Sequence, residues 1–324
     1  MRDKYELTAE TKRVFGYTLH RICALRDIPR FNIRAGDSGG WIEGVHNLSQ
    51  DDDAWVSIDA QVFGNAQVSG NAQVSGNAEV SGNAEVSGDA WVSGDAWVSG
   101  YAHVSGNARM YDNAEVCDDA RVFDDALLYG NAQVSGRAKV SGDAQLSGNV
   151  EVYGNAWVSG DALVYGRAKV AGDAKVSGDA LVFGNAHVYG DAQVYDNAKV
   201  YDNAKVSGEA QVSGNAEVSG DAKVSGDAKV IGNAVVCGDA EVCGDADYTV
   251  LKNSWSSGRW LTYTRSNGMW KVGCFYGTGE SLIAKAYRDS ELSGKCYEEI
   301  VRAVEAIYRA IEESKGQTRG GDRR

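Results

Sequence analysis

Proline is almost absent from this chain of 324 residues, which holds one proline and 40 glycines. Glycine without proline excludes collagen and a proline-rich linker. No apolar run reaches the ~18 residues of a membrane span. Residues 1–6 lack the apolar core of a secretion signal, so a soluble, cytoplasmic protein with no membrane partner is expected. The six cysteines (Cys23, Cys117, Cys237, Cys243, Cys274 and Cys296) show no C-x-x-C spacing. That argues against a zinc framework and for reduced thiols, with no metal and no cofactor expected.

Positive charge is scarce in the middle of the chain. Residues 51–246 hold 11 Lys+Arg against 29 Asp+Glu, whereas residues 1–50 and 247–324 are mildly basic. The acidic middle makes nucleic acid an unlikely partner along its length.

What the middle has instead is period. Valine recurs every sixth residue from Val56 to Val242, replaced only by Met110, Leu128 and Leu146. Alanine stands two residues before each, with Val150 the exception. The unit reads A-x-V-S-G-[N/D], as in Ala72-Gln73-Val74-Ser75-Gly76-Asn77. In a strand, residues two apart share a face, so Ala and Val point inward while x and the residue after Val point outward. Gly followed by Asn or Asp supplies a corner, because both tolerate the left-handed backbone region. A strand of about four residues and a two-residue corner make one side, and three sides close a coil of 18 residues.

This pattern resembles the hexapeptide-repeat, left-handed parallel β-helix family. The resemblance implies an all-β left-handed parallel β-helix of about 10–11 coils, with a small N-terminal β cap and a small C-terminal α+β domain. The expected boundaries are 1–50 for the cap, 51–246 for the β-helix, 247–314 for the C-terminal domain and 315–324 for a disordered basic tail. Many members of that family are acyltransferases with a catalytic histidine and an extruded loop. Here the repeat has no extrusion, and His103 and His187 occupy outward x positions. No catalytic residue is assigned. Ice-binding β-helices resemble one another in a ladder of exposed threonines, and residues 51–246 contain no threonine. Residues 36–43, followed by Asn47-Leu48-Ser49, resemble the start of uncharacterised repeat proteins of bacteriophages and prophages, which implies such a source.

Positions 18 apart stack in one column, which sorts the outward residues into three faces. On the face that begins at Trp55, an apolar patch forms from Leu127, Tyr129, Leu163, Tyr165, Leu181 and Phe183, with Tyr111 and Tyr201 at its ends. Exposed apolar patches mark contact sites, so this face is expected to join copies into a dimer or trimer. The corners hold Asp125, Asp143, Asp161 and Asp179 in one column, read as solvated turn residues.

The period breaks at Tyr248. Residues 248–252, 259–265 and 269–276 read as strands joined by turns at 256–258 and 266–268, and residues 297–313 as an amphipathic helix. Polar residues gather here among tryptophans and tyrosines: Ser256, Arg259, Thr262, Thr264, Arg265, Thr278, Glu280 and Lys285. They are the candidate site for a host protein or a small anionic, nucleotide-like ligand, with Gly277-Thr278-Gly279-Glu280 as a loop whose N–H groups could meet an anion. The expected function is that of a non-enzymatic phage-type scaffold and binding protein that counters host defence. The alternative is a hexapeptide-repeat acyltransferase.

Overall fold

A computed structural model describes residues 3–320, with side chains described through residue 314. The chain divides into two compact units, Met1–Asn197 and Ala198–Arg324.

The first unit opens with strands Tyr5–Val14, Tyr17–Ala24 and Ser38–Ile42, paired antiparallel in sequence order. The first strand is 10 residues long. The third uses the glycine-rich stretch that reads as a turn in the sequence. Gly39 and Gly40 are required there by close approach: a Cβ on Gly40 would lie 2.7 Å from the Ala60 carbonyl oxygen. That third strand then pairs in parallel with Gln61–Val62, with Trp41 opposite Gln61 and Ile42 opposite Val62. The cap is thus continuous with one face of the repeat.

From Ala54 the chain of the first unit makes eight coils of 18 residues, three strands to a coil. Most strands are two residues long, shorter than the four expected. Only Gln145–Gly148 and Leu163–Gly166 reach four. Register is strict, as in Trp91 opposite Arg109 and Trp97 opposite Glu115. The Ala and Val columns are fully buried. Each coil's interior is therefore a layer of small and branched side chains, with an order of 25 cal/mol per Å2 of apolar surface removed from water as the driving force.

The backbone-to-backbone hydrogen bonds between coils run one way. Gln73 N donates to Ala90 O at 2.9 Å, Ser75 N to Val92 O at 2.9 Å and Asn77 N to Gly94 O at 2.8 Å. Every coil gives its N–H groups to the next coil and its carbonyls to the previous one. The first coil therefore presents carbonyls with no partner in the repeat, and the last presents N–H groups.

Corner glycines adopt positive φ, for example +76° at Gly154. Asp112, Asp118 and Asp124 take the same position at +54° to +60°. Each repays the strain of that backbone region by accepting a hydrogen bond from the glycine one coil on: Gly130 N at 3.0 Å, Gly136 N at 3.0 Å and Gly142 N at 3.2 Å.

In the second unit the same coil runs from Lys199–Val200 to Glu241–Val242. A four-stranded antiparallel sheet follows, in the order Tyr248–Lys252, Trp260–Thr264, Met269–Val272 and Phe275–Thr278. Where one strand was expected over 269–276 there is a hairpin, turning at Gly273, whose φ is +55°. Helix α1 (Gly279–Asp289) was not foreseen, and α2 (Glu291–Gly320) is longer than the expected 297–313. It continues through six of the residues assigned to a disordered tail, and residues 321–324 lie outside the described residues. Leu261, Tyr263, Trp270, Leu282, Val301 and Tyr308 form the core between sheet and helices.

Candidate functional site

Three surfaces could carry function, and the structure treats them differently. The first is the Trp55 face. Trp55 itself, an outward position by period, is fully buried because the cap lies over it, with Gly39 leaving room for the indole. Farther along, Leu163 stands opposite Leu181 in register. Over them Tyr165 and Phe183 stack with centroids 4.8 Å apart and planes 3° from parallel. Tyr165 keeps 37% of its surface exposed. Leu127 and Tyr129 lie on the same face, but Gln145 separates Leu127 from Leu163. The patch is therefore centred on the Leu163–Phe183 group. Tyr111 meets Trp91 edge-on at 5.7 Å. Tyr201 belongs to the second unit, where its hydroxyl reaches Glu217 Oε2 at 3.4 Å.

The second is the C-terminal polar set, and here the eight candidate residues do not form one site. Thr262 is buried and its Oγ1 accepts from Val235 N at 2.9 Å. Thr264 is buried and donates to Asn267 Oδ1. Arg265 is held between Asp247 at 3.6 Å and Glu312 at 3.4 Å. Ser256 accepts from Asn253 Nδ2 at 2.8 Å in its own turn. Arg259 is exposed, with its aliphatic stem beside Gly273. Thr278 is the N-cap of α1, its Oγ1 accepting from Ser281 N at 3.3 Å. Glu280 and Lys285 are exposed on α1. The Thr278 loop is thus a helix start, and its polar atoms are spent on capping.

The direction of the inter-coil bonds explains the role of Thr262. The last coil's N–H groups need acceptors, and the C-terminal segment supplies them. Lys229 N donates to Asp245 Oδ1, Ile231 N to Tyr248 Oη, Val235 N to Thr262 Oγ1 and Glu241 N to Ser266 Oγ. Cys243 N and Gly244 N both donate to Asp247 Oδ2, at 2.8 and 3.1 Å. The first coil's carbonyls need donors, and the N-terminal cap supplies those. Lys4 Nζ donates to Ala54 O at 2.6 Å, and Asn47 Nδ2 to Gly64 O and Ala66 O at 3.1 and 2.9 Å. Burial pushes Lys4 down to about 8, against the pull of Asp52. Each end has the side chains its polarity demands, since a buried backbone group without a partner costs ~1–3 kcal/mol.

The third is a polar face of the first unit. On the face that begins at Gln67, the outward column runs His103, Arg121, Lys139, Trp157, Lys175 and Gln193, each opposite the next. Two hollows of about 520 and 440 Å3 open on it and share Arg137 and Lys139. The 18-residue column was the signal available in the sequence.

The two repeat histidines lie on different faces. His103 Nδ1 is 3.1 Å from Glu85. His187 lines a hollow of about 420 Å3 with Tyr153, Lys169 and Tyr189, over the small side chain of Ala171. Burial pushes the Cys117 thiol up to about 11, which makes it a poor nucleophile. Among the described residues, no group of three or more His, Cys, Asp or Glu is placed to hold a metal ion. No helix among them is long and apolar enough to cross a membrane.

No curated protein matches the chain. Residues 60–76 and 144–160 match the YdcK beta solenoid repeat. Each stretch is about one coil long, and the first unit stacks both into the three-sided pattern described above. The chain is a repeat β-solenoid of 18-residue coils, closed in its second unit by a small sheet and two helices.

Proposed function

We propose that this protein is a non-enzymatic scaffold that binds a second copy of itself through the Trp55 face. The observation that carries the proposal is the Tyr165–Phe183 stack over Leu163 and Leu181. It places aromatic and aliphatic surface side by side in the middle of a regular face, and aromatic anchors of this kind dominate association energies. A two-fold contact would set the strip against itself. The C-terminal polar residues are left out of the binding role, because Thr262 serves the coil end, Thr278 the helix start, and Ser256, Thr264 and Arg265 are engaged with neighbours of their own. The phage setting, with a host partner or an anionic ligand, rests on the resemblance of residues 36–43 alone.

Mass photometry of the full chain and of a Leu163→Asp, Leu181→Asp variant tests this. The proposal expects a dimer that falls to monomer in the variant with the fold retained by circular dichroism. A wild-type monomer, or a dimer indifferent to both changes, contradicts it.

One observation favours a second function, acyl transfer. His187, a general-base type of side chain, lines a hollow floored by Ala171. Turnover of acyl-CoA that is lost on His187→Ala would support that function, and absence of turnover over a panel of amine and alcohol acceptors would remove it.

A further inference from the structure

We infer that the Gln67 face carries a binding groove for an acidic oligosaccharide. This goes beyond self-association and stands on a different face, so each can fail without the other.

The Gln67 face carries a charge arrangement that folding alone would not favour. Arg121 and Lys139 sit directly opposite each other on neighbouring coils, both exposed. Like charges placed so are destabilising. Elsewhere on the solenoid Lys169 meets Glu151 at 2.8 Å and Lys223 meets Glu241 at 2.7 Å, and the lysine–lysine step outside this face, Lys205 opposite Lys223, keeps that carboxylate. On this face Arg121, Lys139 and Lys175 make no ion pair among the described residues, in a segment where acids outnumber bases. Arg137 adds a fourth cation at the corner, paired loosely with Asp119 at 3.9 Å.

Trp157 stands between Lys139 and Lys175. Its Nε1 donates to Ser141 Oγ of the preceding coil at 3.1 Å, which draws the indole down along the sheet. Ser141 is buried beneath it, and 41% of the indole surface remains exposed. Lys139 Nζ is 5.8 Å from the ring centroid, so cation and ring share one surface. The hollow around this ring is completed by Asn155, Asp173 and Gln193. From His103 to Gln193 the column covers five inter-coil steps, ~24 Å at ~4.8 Å a step.

These groups select among polyanions. A nucleic acid carries a charge every ~1.7 Å of duplex, and Asp119, Asp173 and Asp191 along the groove would repel that density. A sugar acid chain presents apolar ring faces, hydroxyls and widely spaced carboxylates. The indole takes a ring face, the Gln193 amide can both donate and accept toward hydroxyls, and Asn155, whose Nδ2 donates to Asp173 Oδ1 at 2.9 Å, keeps its amide oxygen as an acceptor. Lys139 and Lys175 stand two coils apart, ~10 Å, on either side of Trp157, as carboxylates flanking one stacked ring would require.

The test is calorimetric titration of the full chain with tetramers of galacturonate, mannuronate and hyaluronan, with maltotetraose and a thymidine oligonucleotide as comparisons. Saturable binding of at least one acidic tetramer is expected, with maltotetraose weaker. Trp157→Ala should weaken it at least about tenfold, the scale set by loss of one stacking platform. Lys139→Gln with Lys175→Gln should weaken binding and reduce its dependence on salt, Arg121 and Arg137 remaining, while Trp91→Ala on another face leaves binding unchanged. These side chains are exposed, and an unaltered melting curve checks that each variant folds. Failure of all acidic tetramers to bind, binding indifferent to Trp157→Ala, or preference for the oligonucleotide would overturn the inference.

Discussion

Replacing Gly154 by alanine should destabilise the protein, whereas replacing it by aspartate should leave stability nearly unchanged. Gly154 sits at a corner with φ +76°, and a Cβ there would meet Gly172 N and O at 3.0 Å. For alanine the left-handed backbone costs ~1–2 kcal/mol, and the close contact adds to it. Aspartate carries the same Cβ, but Asp118 shows what it gains at the same corner two coils earlier. Its Oδ2 accepts from Gly136 N at 3.0 Å. At residue 154 the equivalent partner is Gly172 N, and a hydrogen bond to a charged group contributes ~1.5–3 kcal/mol, discounted here for solvent exposure. The two terms nearly cancel for aspartate. Gly154→Ala should therefore destabilise by ~1–2 kcal/mol, with Gly154→Asp within ~0.5 kcal/mol of the parent. Urea unfolding measures the difference, and amide exchange at Gly172 reports its location, slowed in the aspartate variant only. Equal destabilisation by both, or no protection at Gly172, would refute the claim that corner aspartates offset their own strain.

Three further outcomes follow from the ends and the faces. Folded Lys4 loses its proton near 8 and the unfolded side chain near 10.5, so folding releases a proton between those values. Stability should rise with pH across that window, by up to about 3 kcal/mol, and level off once pH is below about 8, where both states hold the proton. Lys4→Met should flatten that slope in pH-dependent urea titrations and leave the Ala54 carbonyl unpaired, at ~1–3 kcal/mol. At the other end, Asp247→Ala removes the acceptor for Cys243 N and Gly244 N. It should cost ~1–3 kcal/mol and speed amide exchange at those two residues, while exchange at Gln73 stays as it was. Leu163→Asp with Leu181→Asp should leave the melting temperature nearly unchanged while removing the dimer in mass photometry, since both side chains are only half-buried.

The coil was legible because its cause is local and repeated. One buried Val and one buried Ala per side, with a glycine to turn on, fix the layer, and strict spacing fixes the register. Trp55 departs from the outward pattern because residues far along the chain cover it, which no periodicity encodes. The C-terminal set was harder for a chemical reason. A side chain that caps a backbone N–H and one that holds a ligand are of the same polar types, so Thr262 and Thr278 look alike in sequence whether they serve structure or binding. What separates them is the direction of the inter-coil hydrogen bonds, which exists only once the coils are stacked. The Gln67 face shows the converse. Its column of Arg121, Lys139, Trp157 and Lys175 was present at 18-residue spacing, but scattered charges gain meaning only when carboxylate partners are seen to be missing.

The account's central claim is that this solenoid works through its sides, with the Trp55 face meeting a second copy. A photo-reactive benzoylphenylalanine in place of Tyr165, illuminated in the full chain and mapped by mass spectrometry, tests that most directly. The account expects covalent dimers joined to Leu163, Leu181 or Phe183 of the second copy, and none from the same group placed at Lys205 on the Gln61 face. Monomer alone, or cross-links landing on another face, would contradict it.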